Sequence, residues 1–193
     1  GESIGITGKT GEGKSTFIDL ICGLLEPQEG KILVDNNNIQ KNIKSWQQKI
    51  GYVPQNIYLL DDTIRENIIF GKKIDKETDK NLANSIKLAQ LDKLISKLPE
   101  GLNTVVGDRG TRLSGGQIQR IGVARAIMNN AEVLIFDEAT SALDIETEKD
   151  LINDIYKLKL KKTLIIISHR LSILEHCDRI YSLQDKSISL KNE

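Results

Sequence analysis

Three groups of residues in this 193-residue chain are of types and spacings that could do chemistry: a glycine-rich octapeptide ending in Lys-Ser, a pair of carboxylates closing an apolar run, and a second glycine pair ahead of a helical stretch. The octapeptide, Gly8-Lys9-Thr10-Gly11-Glu12-Gly13-Lys14-Ser15, fits the phosphate-loop pattern G-x-x-x-x-G-K-[ST]. Its glycines let backbone N–H groups wrap around phosphate oxygens, and the helix start behind it adds a positive dipole end. Lys14 is placed to reach β- and γ-phosphates, the Ser15 hydroxyl to hold Mg²⁺, and Thr16 belongs to the same turn. In Val133-Leu134-Ile135-Phe136-Asp137-Glu138, Asp137 would position the metal through water and Glu138 would polarise an attacking water. An Asp-Glu pair after an apolar run is by itself more often a solvated helix start; beside a phosphate loop it gains weight. In Leu113-Ser114-Gly115-Gly116-Gln117 two glycines head a helix running to about Met128, a second phosphate-facing N-terminus for which Ser114 also suits as N-cap.

A phosphate loop works only between a strand that delivers it and a helix that receives it. The runs Ile4 to Thr7, Ile50 to Val53, Val133 to Phe136 and Leu164 to Ile167 are short, β-branched and uninterrupted, as in strands buried on both faces of a parallel sheet. Lys14 to Leu25 and Glu148 to Leu158 carry apolar residues at helical spacing, and Pro27 closes the first. The alternation predicts an α/β fold with its ligand site at the carboxyl ends of the strands. From about Asp61 to Leu98 no buried strand is predicted, and Leu82, Ile86, Leu91, Leu94, Ile95 and Leu98 recur at three- and four-residue intervals, which marks an inserted helical lobe. Lys31 to Asp35 and Ile188 to Leu190 read as edge strands, the first leading into a turn at Asn36-Asn37-Asn38.

With these motifs in this order the sequence resembles the nucleotide-binding domain of ABC transporters along essentially its whole length. The likeness takes in the Walker A loop Gly8 to Ser15, the Q-loop Tyr52-Val53-Pro54-Gln55, the signature Leu113 to Gln117, Walker B at Val133 to Glu138, the D-loop Ser141-Ala142-Leu143-Asp144, and His169 in Ile167-Ser168-His169-Arg170. The resemblance implies an α/β P-loop NTPase core with a mainly parallel sheet, an inserted α-helical subdomain at about 61–128, and a truncated antiparallel β subdomain. It implies ATP and Mg²⁺ as ligands, Glu138, His169 and Gln55 as catalytic residues, and Ser15, Gln55 and Asp137 around the metal. Its partners would be a second copy, head to tail, so that Ser114, Gly115, Gly116 and Gln117 close over the other copy's nucleotide, and transmembrane domains at the cytoplasmic face of the inner membrane. Thr104 to Gly110 is similar to the X-loop of exporters, and Ile57 to Ile68 to the region after their Q-loop. Leu98 to Asn103 and Asp178 to Tyr181 are similar to flippases of lipid-linked oligosaccharides. The family carries two strands and an adenine-stacking aromatic ahead of Walker A, which this sequence opens past. Tyr52, Tyr58 and Trp46 could substitute for it, but core or lobe packing is the expected role of all three.

Composition bounds the alternatives. Lys plus Arg number 27 against 27 Asp plus Glu, so the net charge is zero and no basic stripe for nucleic acid is expected. At 39 % hydrophobic and 28 % charged residues the chain is of ordinary globular type, and its apolar runs are too short to cross a bilayer. Cys22 and Cys177, far apart in the sequence, suit small buried hydrophobes in a reducing compartment better than a disulfide. A soluble ABC ATPase of DNA repair or translation is the first rival, disfavoured by the X-loop and the balanced charge. A nucleotide switch without turnover is the second, disfavoured by Glu138 and His169.

Overall fold

The computed structural model describes residues 1–71, 75–158 and 161–191. Five strands lie parallel: β1 (Ser3–Thr7), β4 (Ile50–Val53), β5 (Val133–Asp137), β6 (Thr163–Ile167) and β7 (Arg179–Gln184). With β8 (Ser187–Leu190), antiparallel to β7, they form one sheet in the order β4-β5-β6-β1-β7-β8. The central strands are buried because helices cover both faces, which is why they carry near-continuous Ile, Val and Leu. β2 (Leu33–Val34) and β3 (Asn37–Asn38) make a separate small hairpin.

The structure moves several expected boundaries. α1 (Lys14–Ile21) stops before Leu25, because the left-handed Gly23 ends it. The edge strand expected over Lys31 to Asp35 shrinks to two residues, and its turn lies at Asp35 and Asn36, both at positive φ, while Asn37 and Asn38 are strand. α7 (Ile145–Tyr156) begins earlier than Glu148 because Asp144 caps it, accepting from the Thr147 N–H at 3.0 Å. β7 has no counterpart among the expected strands: Arg179, Tyr181 and Ser182 break the apolar run that signals a buried strand.

The lobe contains α3 (Ile64–Ile69), α4 (Lys76–Leu88) and α5 (Asp92–Ile95). Between α2 (Ile43–Gln48) and α3 the chain passes through β4 and the segment carrying Gln55. The helix α6 (Gly115–Met128) packs on α3, α4 and β4 together, so it is buried on nearly every side. Its approach to the sheet is at backbone distance, since a Cβ on Gly51 would lie 2.6 Å from the Ala126 carbonyl oxygen. One hydrophobic cluster runs through the lobe, α6 and the inner strands. α8 (Leu171–Leu174) follows β6 and buries Ile173 and Leu174.

Candidate nucleotide-binding site

The parallel strands deliver the expected residues to one end of the sheet. The octapeptide leaves β1 and turns into α1 through Gly13, left-handed at φ 99° and without a side-chain cap. No acidic residue sits in the first turn of α1, so its free N–H groups and dipole are available to an anion. Lys14 Nζ bridges back across the loop to the carbonyls of Gly8, 2.7 Å, and Lys9, 3.0 Å. Ser15 and Thr16 stand exposed in the first turn, and Lys9, Thr10 and Gly11 are exposed in the loop.

Asp137 and Glu138 end β5 in different surroundings. Tyr52 Oη donates to Asp137 Oδ2 at 3.3 Å. Burial lifts the Asp137 carboxyl above the usual carboxylate range, and the neighbouring Glu138 charge adds to this while the Tyr52 hydroxyl and Lys14 oppose it. Burial and Asp137 together push the Tyr52 phenol up. Glu138 takes a left-handed backbone, φ 47°, and its N–H is held by the Ile167 carbonyl at 3.0 Å. Gln55 Nε2 donates to Glu138 Oε2 at 2.9 Å, and His169 Nδ1 lies 3.6 Å from Glu138 Oε1. The carboxylate is 17 % exposed and the imidazole 57 %, so Glu138 is the more enclosed of the two. Arg170 clamps the next turn to α7 through the buried Glu148, at 2.8 and 2.9 Å.

Gln55, Glu138 and His169 therefore meet, and Lys14 and Asp137 sense each other's charge. The signature residues stand elsewhere. Ser114, Gly115, Gly116 and Gln117 line a cavity of about 360 Å³ with the D-loop residues Ala142, Leu143 and Asp144, whereas Gly8, Lys9, Glu12 and His169 line another of similar size. The side chains of Ser114 and Gln117 are spent on each other's backbone N–H in a capping box, 3.3 and 2.9 Å. Gly115 and Gly116 face that cavity without side chains.

Sequence reasoning missed three features. Gln119, only 4 % exposed, donates to Ser141 Oγ at 3.2 Å and accepts from the Ala142 N–H at 3.1 Å, tying the signature helix to the D-loop. Its one signal was a glutamine on a helix otherwise apolar at that depth. Lys93, Lys97 and Arg120 line the signature cavity and make it positive; nothing in the lobe's periodicity marks them. Tyr52 points at Asp137 and is not packed in the core as expected, and Tyr58 is exposed, whereas Trp46 is buried and donates its indole N–H to the Ile21 carbonyl at 2.6 Å.

The family model described as ABC transporter matches residues 1–141. The chain belongs to the ABC transporter family. This ABC chain is 44 % identical over 184 residues to "Probable multidrug resistance ABC transporter ATP-binding/permease protein YheI" of Bacillus subtilis, covering 93 % of itself and 31 % of that protein. It is 45 % identical over 186 residues to "Iron-sulfur clusters transporter ATM1, mitochondrial" of Debaryomyces hansenii, covering 95 % of itself and 26 % of that protein. It is 39 % identical over 189 residues to "ATP-dependent lipid A-core flippase" of Methylobacillus flagellatus, covering 97 % and 32 %. The ABC chain thus spans a third or less of the length of these relatives. Among solved structures, "Structure of a bacterial Atm1-family ABC exporter with ATP bound" superposes with a TM-score of 0.91 at 36 % identity, over 97 % of this chain and 33 % of that one. The mixed α/β fold with a mainly parallel sheet is that of a P-loop NTPase ABC domain.

The residues fit the ligands of an ABC domain. Gly8 lets the start of the phosphate loop lie directly on β7, since a Cβ there would stand 2.6 Å from the Leu183 carbonyl oxygen. Among the described residues no three His, Cys, Asp or Glu side chains gather to cage a metal. The expected metal residues Ser15, Gln55 and Asp137 carry oxygen atoms only as possible ligands, the donor type that would suit Mg²⁺ completed by phosphate and water.

Proposed function

We propose that this chain, read as a nucleotide-binding domain over 1–193 with its helical subdomain at about 61–128, hydrolyses ATP to drive an ABC exporter. The observation that carries this reading is the grouping of Gln55 and His169 on Glu138 at the strand ends beside the phosphate loop. Lys14 and the first turn of α1 grip the polyphosphate, and Glu138, oriented by the Gln55 amide, takes the proton of the attacking water. His169 donates toward the terminal phosphate from the open side. Mg²⁺, when bound, would neutralise phosphate charge beside Ser15, with Asp137 ordering its water shell.

The separation of the signature cavity from the phosphate loop supports a head-to-tail pair in which each signature closes the other copy's site. Transmembrane domains at the cytoplasmic face of a membrane complete the machine. Relatives of similar identity are named for lipid A core, iron–sulfur clusters and a toxin, which supports placing the choice of cargo, a lipid or lipid-linked saccharide included, outside this chain.

Two substitutions test the roles. Lys14→Ala removes ATP binding, whereas Glu138→Gln binds ATP as the parent does, stops turnover and accumulates a closed dimer on sizing. Equal loss of affinity in both variants refutes the division of labour. An unmixed Ser114→Arg protein that hydrolyses ATP at the parental rate refutes action between copies.

A further inference from the structure

Glu12 puts a carboxylate inside a loop whose work is to surround an anion. An unengaged negative charge there opposes phosphate, so its surroundings decide whether the loop can function. Glu12 Oε2 accepts a hydrogen bond from the Asp185 backbone N–H at 2.7 Å, a short, charge-assisted contact reaching 173 residues along the chain. Asp185 and Lys186 form the two-residue turn between β7 and β8, both at positive φ, 50° and 60°, and Gln184 pairs with Ser187 beneath them. The Asp185 N–H lies beyond the last strand pair and takes its partner from the loop.

The same hairpin touches the loop a second time. β7 runs beside β1 with Ser182 opposite Thr7, and the absent side chain of Gly8 leaves room for the Leu183 carbonyl. The loop thus rests on β7 at its first residue and is tied to the β7–β8 turn at its fifth. Lys14 ties the end of the loop to its beginning, on the Gly8 and Lys9 carbonyls.

We infer that Glu12 is a positioning residue that clips the phosphate loop to the β7–β8 turn, so that this late hairpin holds the loop open in its anion-receiving shape. The inference rests on the reading of residues 8–15 as the ATP-binding loop. The carboxylate acts through its acceptor oxygen, and its engagement with Asp185 keeps its charge from the polyphosphate. Removing the oxygen and removing the charge are then different perturbations.

The experiment compares Glu12→Ala and Glu12→Gln in this chain, measuring ATP affinity by equilibrium binding and Asp185 amide exchange by NMR. Glu12→Ala should raise Asp185 exchange at least tenfold and weaken ATP binding about tenfold, while amides of β5 and β6 keep their protection. Glu12→Gln keeps an acceptor oxygen and should hold both quantities within about threefold of the parent. Tighter ATP binding in both variants would show that Glu12 acts only as a repelling charge and overturns the clip. Parental Asp185 protection in Glu12→Ala, or parental affinity despite its loss, overturns it as well. If Lys14→Ala kept full affinity, the ATP-binding reading of the loop would fall while the exchange result for Asp185 still stood on its own.

Discussion

Replacing Gln119 by Leu tests whether the signature helix and the D-loop work as one piece. The side chain is buried, yet its two partners, Ser141 and Ala142, belong to exposed residues. Each neutral hydrogen bond is worth about 0.5–1.5 kcal/mol net, and a stranded buried group would cost about 1–3. Because water can take over at Ser141 and Ala142, the loss falls near the lower figures, and the added apolar contact of Leu offsets part of it. The expected cost is about 1–2 kcal/mol, a fall of roughly 2–8 °C in Tm for a domain of this size. The effect on turnover should exceed that on stability. The Ser141 N–H is bonded to the Glu138 carbonyl at 3.1 Å, and Gly115 and Gly116 lie against Ala142 and Leu143, so a loosened D-loop would disturb the proposed general base Glu138 and the signature together. Thermal unfolding, ATP affinity and steady-state hydrolysis measured on the same preparation separate these effects. ATP affinity should stay within twofold and hydrolysis should fall at least tenfold. Parental hydrolysis with the predicted loss of Tm would refute the coupling and leave Gln119 a packing residue.

Gly8→Ala should abolish measurable ATP binding, because the new methyl meets the Leu183 carbonyl, whereas Gly11→Ala, with open space but φ 88°, should cost only about 1–2 kcal/mol of backbone strain; calorimetric titration of both ranks them. Arg125→Lys should cost about 2–4 kcal/mol in denaturant midpoint experiments, since one fork bonds the Asn67 and Tyr58 carbonyls and lies 4.4 Å over Phe70, contacts that an ammonium cannot reproduce. Hydrogen bonds from Thr78 hold the α4 cap Asp75 below the usual carboxylate range, so its stabilisation is present above the unfolded carboxylate's pKa and is lost as pH falls through the folded value. Amide exchange should show α4 fraying in acid before β5 does, and Asp75→Asn should blunt that difference.

The parts of the fold legible in the sequence are those set by period and by backbone demand. Leu164 to Ile167 lies in a buried strand as expected because an unbroken aliphatic run of that length has few other buried homes, and α6 ends at Met128 as expected. The candidate site residues were legible for a related reason: Gly8, Gly13 and Lys14 follow one short strand and Asp137 and Glu138 end another, and the parallel pairing of β1 with β6 and of β6 with β5 brings those strand ends to one side of the sheet. β7 was not legible because its register is imposed by β1, which tolerates Arg179 and Ser182 at a position that composition marks as surface. The side-chain ties from Tyr52 to Asp137 and from Gln119 to Ser141 join residues 85 and 22 positions apart. Only the pairing of β4 with β5, and the folding of the D-loop onto α6, create those contacts.

The placement of α6 explains why one helix can serve two sites. Its buried flank meets β4 at backbone distance and carries Arg125, whose bonds to Tyr58 and Asn67 hold the segment that follows Gln55. Its first turn, uncapped by any acid, opens into the positive cavity of Lys93, Lys97 and Arg120, while Gln119 grips the loop leaving Glu138. A displacement of the lobe that carries α3 and α4 would therefore move the signature and the Gln55 segment as one body. Gln55 is hydrogen-bonded to Glu138 across that seam, so the same displacement would change the contact that holds the Glu138 carboxylate. If the proposed closure against a second copy occurs at the signature, α6 is the element through which it would be felt at Glu138.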